Sequence, residues 1–374
     1  MYSEKVYQVA LSNVEGIGDV AFGKLIQHFE SAQNVFNAPL EYKIKALGKK
    51  LGVALQSLKE NGKILQAAHD LILQHAGRDI DVCTRCQTNY PERLEQLYDA
   101  PAVLYSRGDL DLNASRIISV VGTRTATPYG KRFVAKILEE LASLGSLVVI
   151  SGLAYGIDIE AHRVALSLGL PTGAVLAGGL DHIYPAAHKP FVAKMLARQG
   201  ALLSQHAMGV KPEPYRFAAR NRIIAGLADA TLVIEADRKS GALITARHAN
   251  AYDRQVFALP GDIYSGQSAG CHHLIKTNQA HLVTEAADVL YHLHWQNTDS
   301  PSKSPDRKSP CLSLTSLEQK VVDAIAADGP LADVESVSRS TTLELSQLAS
   351  VLLELEMKRV IRCMPGRKLT LCSA

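Results

Sequence analysis

Between Arg116 and His294 the chain alternates short, almost wholly apolar runs with longer stretches of helical periodicity. The runs fall at residues 117–121, 147–151, 174–177, 201–204, 231–235 and 256–259, and each is rich in valine, isoleucine, leucine or alanine. Apolar runs this short, separated by helix-length segments, predict parallel strands buried on both faces by crossover helices. The predicted fold is therefore α/β, a Rossmann-like, doubly wound, mainly parallel sheet.

The flanks follow other patterns. Before residue 80 the periodicity is helical: residues 9–13, a Gly16-Ile17-Gly18 turn, then 21–29 with Phe22, Leu25, Ile26 and Phe29 on one face. The turn resembles a helix-hairpin-helix element, whose free N–H groups can hold a phosphate, although a helix turn that simply needs glycine explains it equally. Residues 297–310 (NTDSPSKSPDRKSP) lose apolar periodicity altogether and read as a flexible linker. Beyond it, 315–327, 332–338 and 342–357 predict three helices, with strands at 360–363 and 368–372 about a Pro365-Gly366 turn, the outline of a winged helix. The expected partition is a helical domain (1–80), a Rossmann-like domain (81–296), a linker (297–312) and a winged-helix domain (313–374). The third C-terminal helix carries Glu344, Glu354 and Glu356 against Lys358 and Arg359 at its end. That is poor chemistry for facing phosphates, so a protein contact or a purely packing role suits it at least as well as a DNA groove.

Composition narrows the class. With 374 residues, 47% hydrophobic and 21% charged, the chain is expected to fold as a globular protein. No apolar run approaches the roughly 18 residues of a membrane span, and the six scattered cysteines suggest no disulfide framework, so a cytoplasmic location is expected. A net charge of +3 places any nucleic-acid site in local clusters of basic residues.

Those clusters lie where open α/β sheets bind ligands, beyond the carboxyl ends of strands. The first strand leads into Gly122-Thr123-Arg124 and then Pro128, a residue suited to the first turn of a helix. The second ends in Ser151-Gly152, with Asp158 placed to orient the turn or cap the next helix, and the third runs into Gly178-Gly179. Glycine lets backbone approach an anion, and the N–H groups that follow supply donors. In YRFAARNRIIAGL (215–227), Arg216 and Arg220 are four apart on one helical face beside Phe217 and Asn221, with Arg222 pointing away. This stretch contains no acid, which suits a nucleic-acid backbone with a base stacked on the ring. Lys239-Ser240-Gly241 opens a further helix as another anion cradle.

Ordinary nucleotide chemistry is poorly served. Gly122, Gly130 and Lys131 have the wrong spacing for a Walker A loop, and no Gly-x-Gly-x-x-Gly follows the first strand, which argues against NAD. Cys83-x-x-Cys86 has no second pair at zinc spacing, so neither a metal nor a cofactor is expected. Asp158, Asp181 and Glu235 stand in no evident constellation with a nucleophile.

The segments VVGTRTATPYGKRF, SGLAYGIDIEAHRVAL, AVLAGGLDHIYPAAH, PYRFAARNRIIAGLADATLVIEA, KSGALITARHA and VFALPGDIYSGQSAG occur in the order found in DprA/Smf proteins, which the chain resembles over about residues 90–290. The resemblance implies a nonenzymatic, homodimeric mediator that receives single-stranded DNA in natural transformation, protects it and loads the RecA recombinase. Carried over by motif, the DNA-gripping residues would be Gly122, Thr123, Arg124, Ser151, Gly152, Gly178, Gly179, Phe217, Arg220, Asn221, Arg222, Lys239, Ser240 and Gly241. Gln205, His272 and Gln279 depart from the family pattern and bear on the last helix and its turn. The competing expectation is a nucleotide phosphoribohydrolase on a related core, whose Pro-Gly-Gly-x-Gly-Thr cluster and catalytic glutamate are replaced here by Gly178-Gly179-Leu180-Asp181. A third is an interaction hub whose terminal domains bind partners.

Overall fold

A computed structural model describes residues 2–48, 55, 61–295, 315–328, 332–341, 343–357, 360–364 and 368–371. The expected linker, the Pro365-Gly366 turn, and Lys358 and Arg359 lie outside the described residues. The chain divides into two units, residues 1–299 and 300–374.

The first unit is built on a nine-stranded sheet among the described residues. Its strands are β1 Asp81–Thr84, β2 Val103–Gly108, β3 Arg116–Gly122, β4 Leu147–Ser151, β5 Thr172–Val175, β6 Ala201–Ser204, β7 Ala230–Ile234, β8 Gln255–Ala258 and β9 His281–Leu282. They lie in the order β1-β2-β6-β5-β4-β3-β7-β8-β9, parallel from β6 to β9, with β2 antiparallel to both β1 and β6. Alternation along β3 shows why both faces must be covered. Ile118 and Val120 pack with Phe133, Val134, Ile137, Leu138 and Leu141 of helix Pro128–Ala142, while Ile117 and Val121 pack with Ile223, Ile224 and Ala246. Each such side chain, when fully buried, contributes roughly 1.5–3 kcal/mol. The one polar residue on the second of these faces, Ser119, meets Thr231 Oγ1 at 2.8 Å.

The N-terminal helices cover the antiparallel flank. Val9, Phe22 and Leu25 share a hydrophobic cluster with Val82, Val103 and Tyr105, and with Ala174 and Leu202 of the sheet. Asp19, just after the Gly-Ile-Gly turn, accepts from Ala102 N–H at 2.8 Å and pairs with Arg222 at 2.5 Å. The carboxylate of this turn thus ties helix Asp19–Phe29 to the sheet.

The second unit joins helices Ser316–Asp328, Val334–Thr341 and Leu345–Met357 to a three-stranded sheet. Its strands are β10 Ala332–Asp333, β11 Ile361–Met364 and β12 Lys368–Leu371, in the order β10-β12-β11, and the unit is a winged helix. Residues 332–333, expected to open a helix, pair instead with Leu369 and Lys368. A two-residue strand carries no alternation from which to read it. Among the described residues no helix is long and apolar enough to cross a membrane, and no group of three His, Cys, Asp or Glu is placed to hold a metal.

Two buried histidines have pKa values lowered by their surroundings. Thr172 Oγ1 donates to Val149 O at 2.8 Å, so His162 Nδ1, 2.7 Å away, supplies the proton between them. Burial, with His188 and Arg220 nearby, pushes its pKa down to about 3. His75 Nδ1 donates to Leu71 O and its Nε2 accepts from Met208 N–H at 3.0 Å, an arrangement that a second ring proton would break. Burial lowers its pKa as well. In the unfolded chain both titrate near 6.5. Their stabilisation is therefore complete above that pH and is lost as pH falls toward the folded values, at up to about 1.4 kcal/mol per pH unit for each. Urea midpoints should be level above pH 7 and decline from pH 6.5 to 4.5, with a shallower decline in His75→Gln; an unchanged slope in that variant would remove His75 from the account.

Candidate functional site

Successive crossovers carry the chain from β3 outward through β4, β5 and β6, after which β7 returns to the other side of β3. Reversal of direction splays the connections apart and leaves a crevice at the carboxyl ends of β3 and β7. A pocket of about 500 Å³ lies there. Of the residues expected from the sequence, Gly122, Thr123 and Arg124 wall it from the β3 loop, and Phe217, Arg220 and Asn221 from helix Pro214–Gly226. Lys239, Ser240 and Gly241 close it from the turn after β7.

The β3 loop is clamped by its own backbone. A side chain on Gly122 would lie 1.9 Å from Ile234 O, so only glycine lets β3 leave the sheet here. Thr123 N–H donates to Glu235 O at 2.6 Å, and Thr123 O accepts from Ile157 N–H at 3.1 Å. Glu235, at φ +53°, turns its buried carboxylate back to accept from Thr127 N–H at 2.8 Å and from the Thr127 hydroxyl, fixing the start of helix Pro128–Ala142. Arg124 rides on this frame with its side chain exposed, 5.9 Å from the Phe217 ring centroid. Across the pocket Asp237 Oδ1 accepts from Lys239 N–H at 2.6 Å, and Asn221 Nδ2 donates to Gly241 O at 3.2 Å. The asparagine amide is thus engaged in joining helix to turn. Among the described residues neither Arg124 nor Lys239 forms an ion pair.

The remaining expected residues are occupied elsewhere. Ser151 is fully buried and donates to Val120 O at 2.6 Å. Gly152 is packed so closely that a Cβ would stand 2.7 Å from Arg220 Nη2 and from Asp158 Oδ2. Gly178 and Gly179 lie under residues 207–212: Gly179 N–H donates to Val210 O at 2.8 Å, and a Cβ on Gly178 would meet the same oxygen at 2.7 Å. These glycines admit a neighbouring backbone, where the sequence suggested an anion. Arg222 sits on the opposite side of its helix, donating to Asp19, Gln205 and Asp99 O.

Arg220 also differs from expectation. It borders the pocket, yet is only 4% exposed. Its Nη1 donates to Gly152 O at 2.9 Å and to Val175 O, which pins the helix against the ends of β4 and β5. Asp158 faces it, accepting from Gly152 N–H at 3.2 Å and Ala154 N–H at 3.4 Å. Burial lowers the guanidinium pKa to about 10 and raises that of Asp158, while each charge opposes the shift of the other. Arg216, one turn away, lies near His206 Nδ1 and Glu213. A neighbour missed by motif reading is Tyr184, whose ring meets Phe217 at 5.5 Å and 69°. It belongs to a loop distant in sequence, so no helical spacing reveals it.

Residues 81–294 match the family described as DNA recombination-mediator protein A, and residues 304–367 match the DprA winged helix domain. Protein Smf of Synechocystis sp. is 37% identical over 289 residues, covering 76% of this chain and 71% of that protein. The X-ray structure of DNA processing protein A from Streptococcus pneumoniae superposes with a TM-score of 0.64 at 33% identity, covering 78% of this chain and 98% of that one. A structure of DNA processing protein A from Helicobacter pylori, which concerns its single-stranded DNA binding mode, gives a TM-score of 0.50 at 31% identity over 57% of this chain and 95% of that one.

The contacts of Arg220 and Arg222 make both structural. Replacing Arg220 by alanine removes the donor to Gly152 O and Val175 O and the cation facing buried Asp158, and replacing Arg222 removes the partner of Asp19 and the donor to Gln205 and Asp99 O, each at a cost of about 2–4 kcal/mol. Urea unfolding of Arg220→Ala and Arg222→Ala should show that loss, whereas Arg124→Ala, at an exposed residue that forms no ion pair among the described residues, should unfold within about 0.5 kcal/mol of the wild type.

Proposed function

Because the chain belongs to the DNA recombination-mediator protein A family, we propose that it binds single-stranded DNA along the carboxyl edge of its sheet and passes that strand to the RecA recombinase in natural transformation. The observation that carries this reading is that two cations, Arg124 and Lys239, which form no ion pair among the described residues, line one pocket together with the half-buried Phe217 and Asn221. Phosphates suit the cations, and a base suits the ring. The strand runs past the β3 loop and the Lys239-Ser240-Gly241 turn, and the protein reads backbone charge and base stacking with little sequence preference. The single-stranded DNA binding mode described for the Helicobacter pylori protein supports the same ligand.

The role is one of binding without catalysis or cofactor, carried out by a homodimer in the cytoplasm. The two aspartates on the pocket, Asp158 and Asp237, accept from backbone N–H groups, which suits positioning better than proton transfer. The winged helix serves as a partner contact. Its third helix presents exposed Leu353 beside exposed Glu354, a surface better matched to protein than to phosphate.

Fluorescence anisotropy with labelled oligonucleotides across a salt series tests the site. The wild type should prefer single strands and lose affinity steeply with salt. An Arg124→Ala/Lys239→Ala protein should bind all sequences more weakly, and its log–log salt slope should be smaller by about 1.4, or 0.7 for each phosphate contact removed. Unchanged affinity and slope in the folded double variant would exclude this pocket.

A further inference from the structure

Aromatic side chains are concentrated beside the pocket in a way that phosphate binding does not need. Tyr184 is 52% exposed and Tyr155 49%, both in loops following strands whose carboxyl ends form this edge of the sheet. Tyr184 packs against Phe217 with centroids 5.5 Å apart and ring planes at 69°. Arg124 lies over the same phenylalanine, at 5.9 Å from its centroid. Tyr155 leans on buried His188, which is anchored to Leu153 O at 2.9 Å. Its neighbour Gly156 fits so tightly against Arg124 that a Cβ there would stand 2.8 Å from Arg124 Cα. Exposed tyrosines are thus held by the fold around the cation that the phosphates would approach. The Tyr184 hydroxyl has no hydrogen-bond partner among the described residues, so hydrogen bonding does not explain the position of the ring.

The near-perpendicular planes matter most. Bases that stay stacked in a duplex keep their planes nearly parallel, whereas two successive bases lying on Phe217 and Tyr184 would be turned about 69° from one another. Only a strand free to unstack can do this, and every base has a face to offer. Resting on the DNA-binding reading above, we infer that Tyr184 is a second stacking platform, which takes the nucleotide next to the one on Phe217 and makes the site select single strands over duplex. Arg124 and Lys239 supply charge that either form of DNA satisfies; Tyr184 supplies a surface that only the single strand can use.

The test compares Tyr184→Leu and Tyr184→Phe with the wild type on three probes of equal length: an oligo-dT strand, an abasic strand with the same number of phosphates, and a duplex. Loss of one stacked base should weaken oligo-dT binding by Tyr184→Leu about tenfold. Binding to the abasic strand and the duplex, and the salt slope, should stay as in the wild type, and Tyr184→Phe should keep wild-type affinity because the ring is retained. An equal loss on the abasic strand, or no loss on oligo-dT, would overturn the assignment of Tyr184 while leaving the DNA-binding reading intact. A wild-type protein that binds no single strand would instead overturn that reading, and this inference with it. Thermal melts of the variants, expected to match the wild type because the ring is half exposed, guard against a folding defect.

Discussion

A charge buried beneath the strand ends organises this molecule. Arg220 is almost completely enclosed, and its guanidinium reaches carbonyl oxygens at the ends of two adjacent strands, Gly152 in the turn after β4 and Val175 at the end of β5, with Asp158 opposite. An ion in such a place is tolerated only when its donors are used and a counter-charge is near. Those conditions fix the roll and height of helix Pro214–Gly226 on the sheet. Phe217 and Asn221 belong to the same helix, so their placement on the pocket follows from the hydrogen bonds that Arg220 makes to the strand ends.

Around that strut, holding and binding are assigned to different atoms. Hydrogen bonds to the backbone do the holding: Thr123 is bonded on both sides of its peptide, the Asp237 carboxylate fixes the Lys239 turn, and the Asn221 amide ties helix to turn. Among the described residues the charged ends of Arg124 and Lys239 form no ion pair, and that of Arg124 lies over the Phe217 ring. A preformed anion site gains from this division, because little ordering entropy remains to be lost when a ligand arrives.

The parallel strands were legible because a strand covered on both faces must be apolar throughout, and the six runs read from the sequence all fall on observed strands within a few residues. The antiparallel β1 and β2 and the two-residue β9 were not read, being short or lying outside the regular alternation with helices. At the site, spacing correctly placed Arg216 and Arg220 on one helical face, but spacing does not tell whether a face looks to solvent or into the body of the protein. Arg220 looks inward. Glycine was ambiguous in the same way. Gly122, Gly152, Gly178 and Gly179 all accommodate close backbone or side-chain approach, and only the three-dimensional arrangement separates the one that opens onto the pocket from the three that do not.

The N-terminal helices share one hydrophobic cluster with β1, β2 and the adjoining parallel strands. Phe22 and Leu25 bury the same layer as Val103 and Tyr105, so the boundary near residue 80 is a change of secondary structure with no break in the interior. A fragment starting at that point would carry an uncovered apolar flank beside its edge strand, the combination that invites self-association. Excising the helices from a chain of this kind therefore calls for redesign of the newly bared surface, and a shortened protein that precipitates would be reporting on that surface and not on the pocket at the carboxyl ends of β3 and β7.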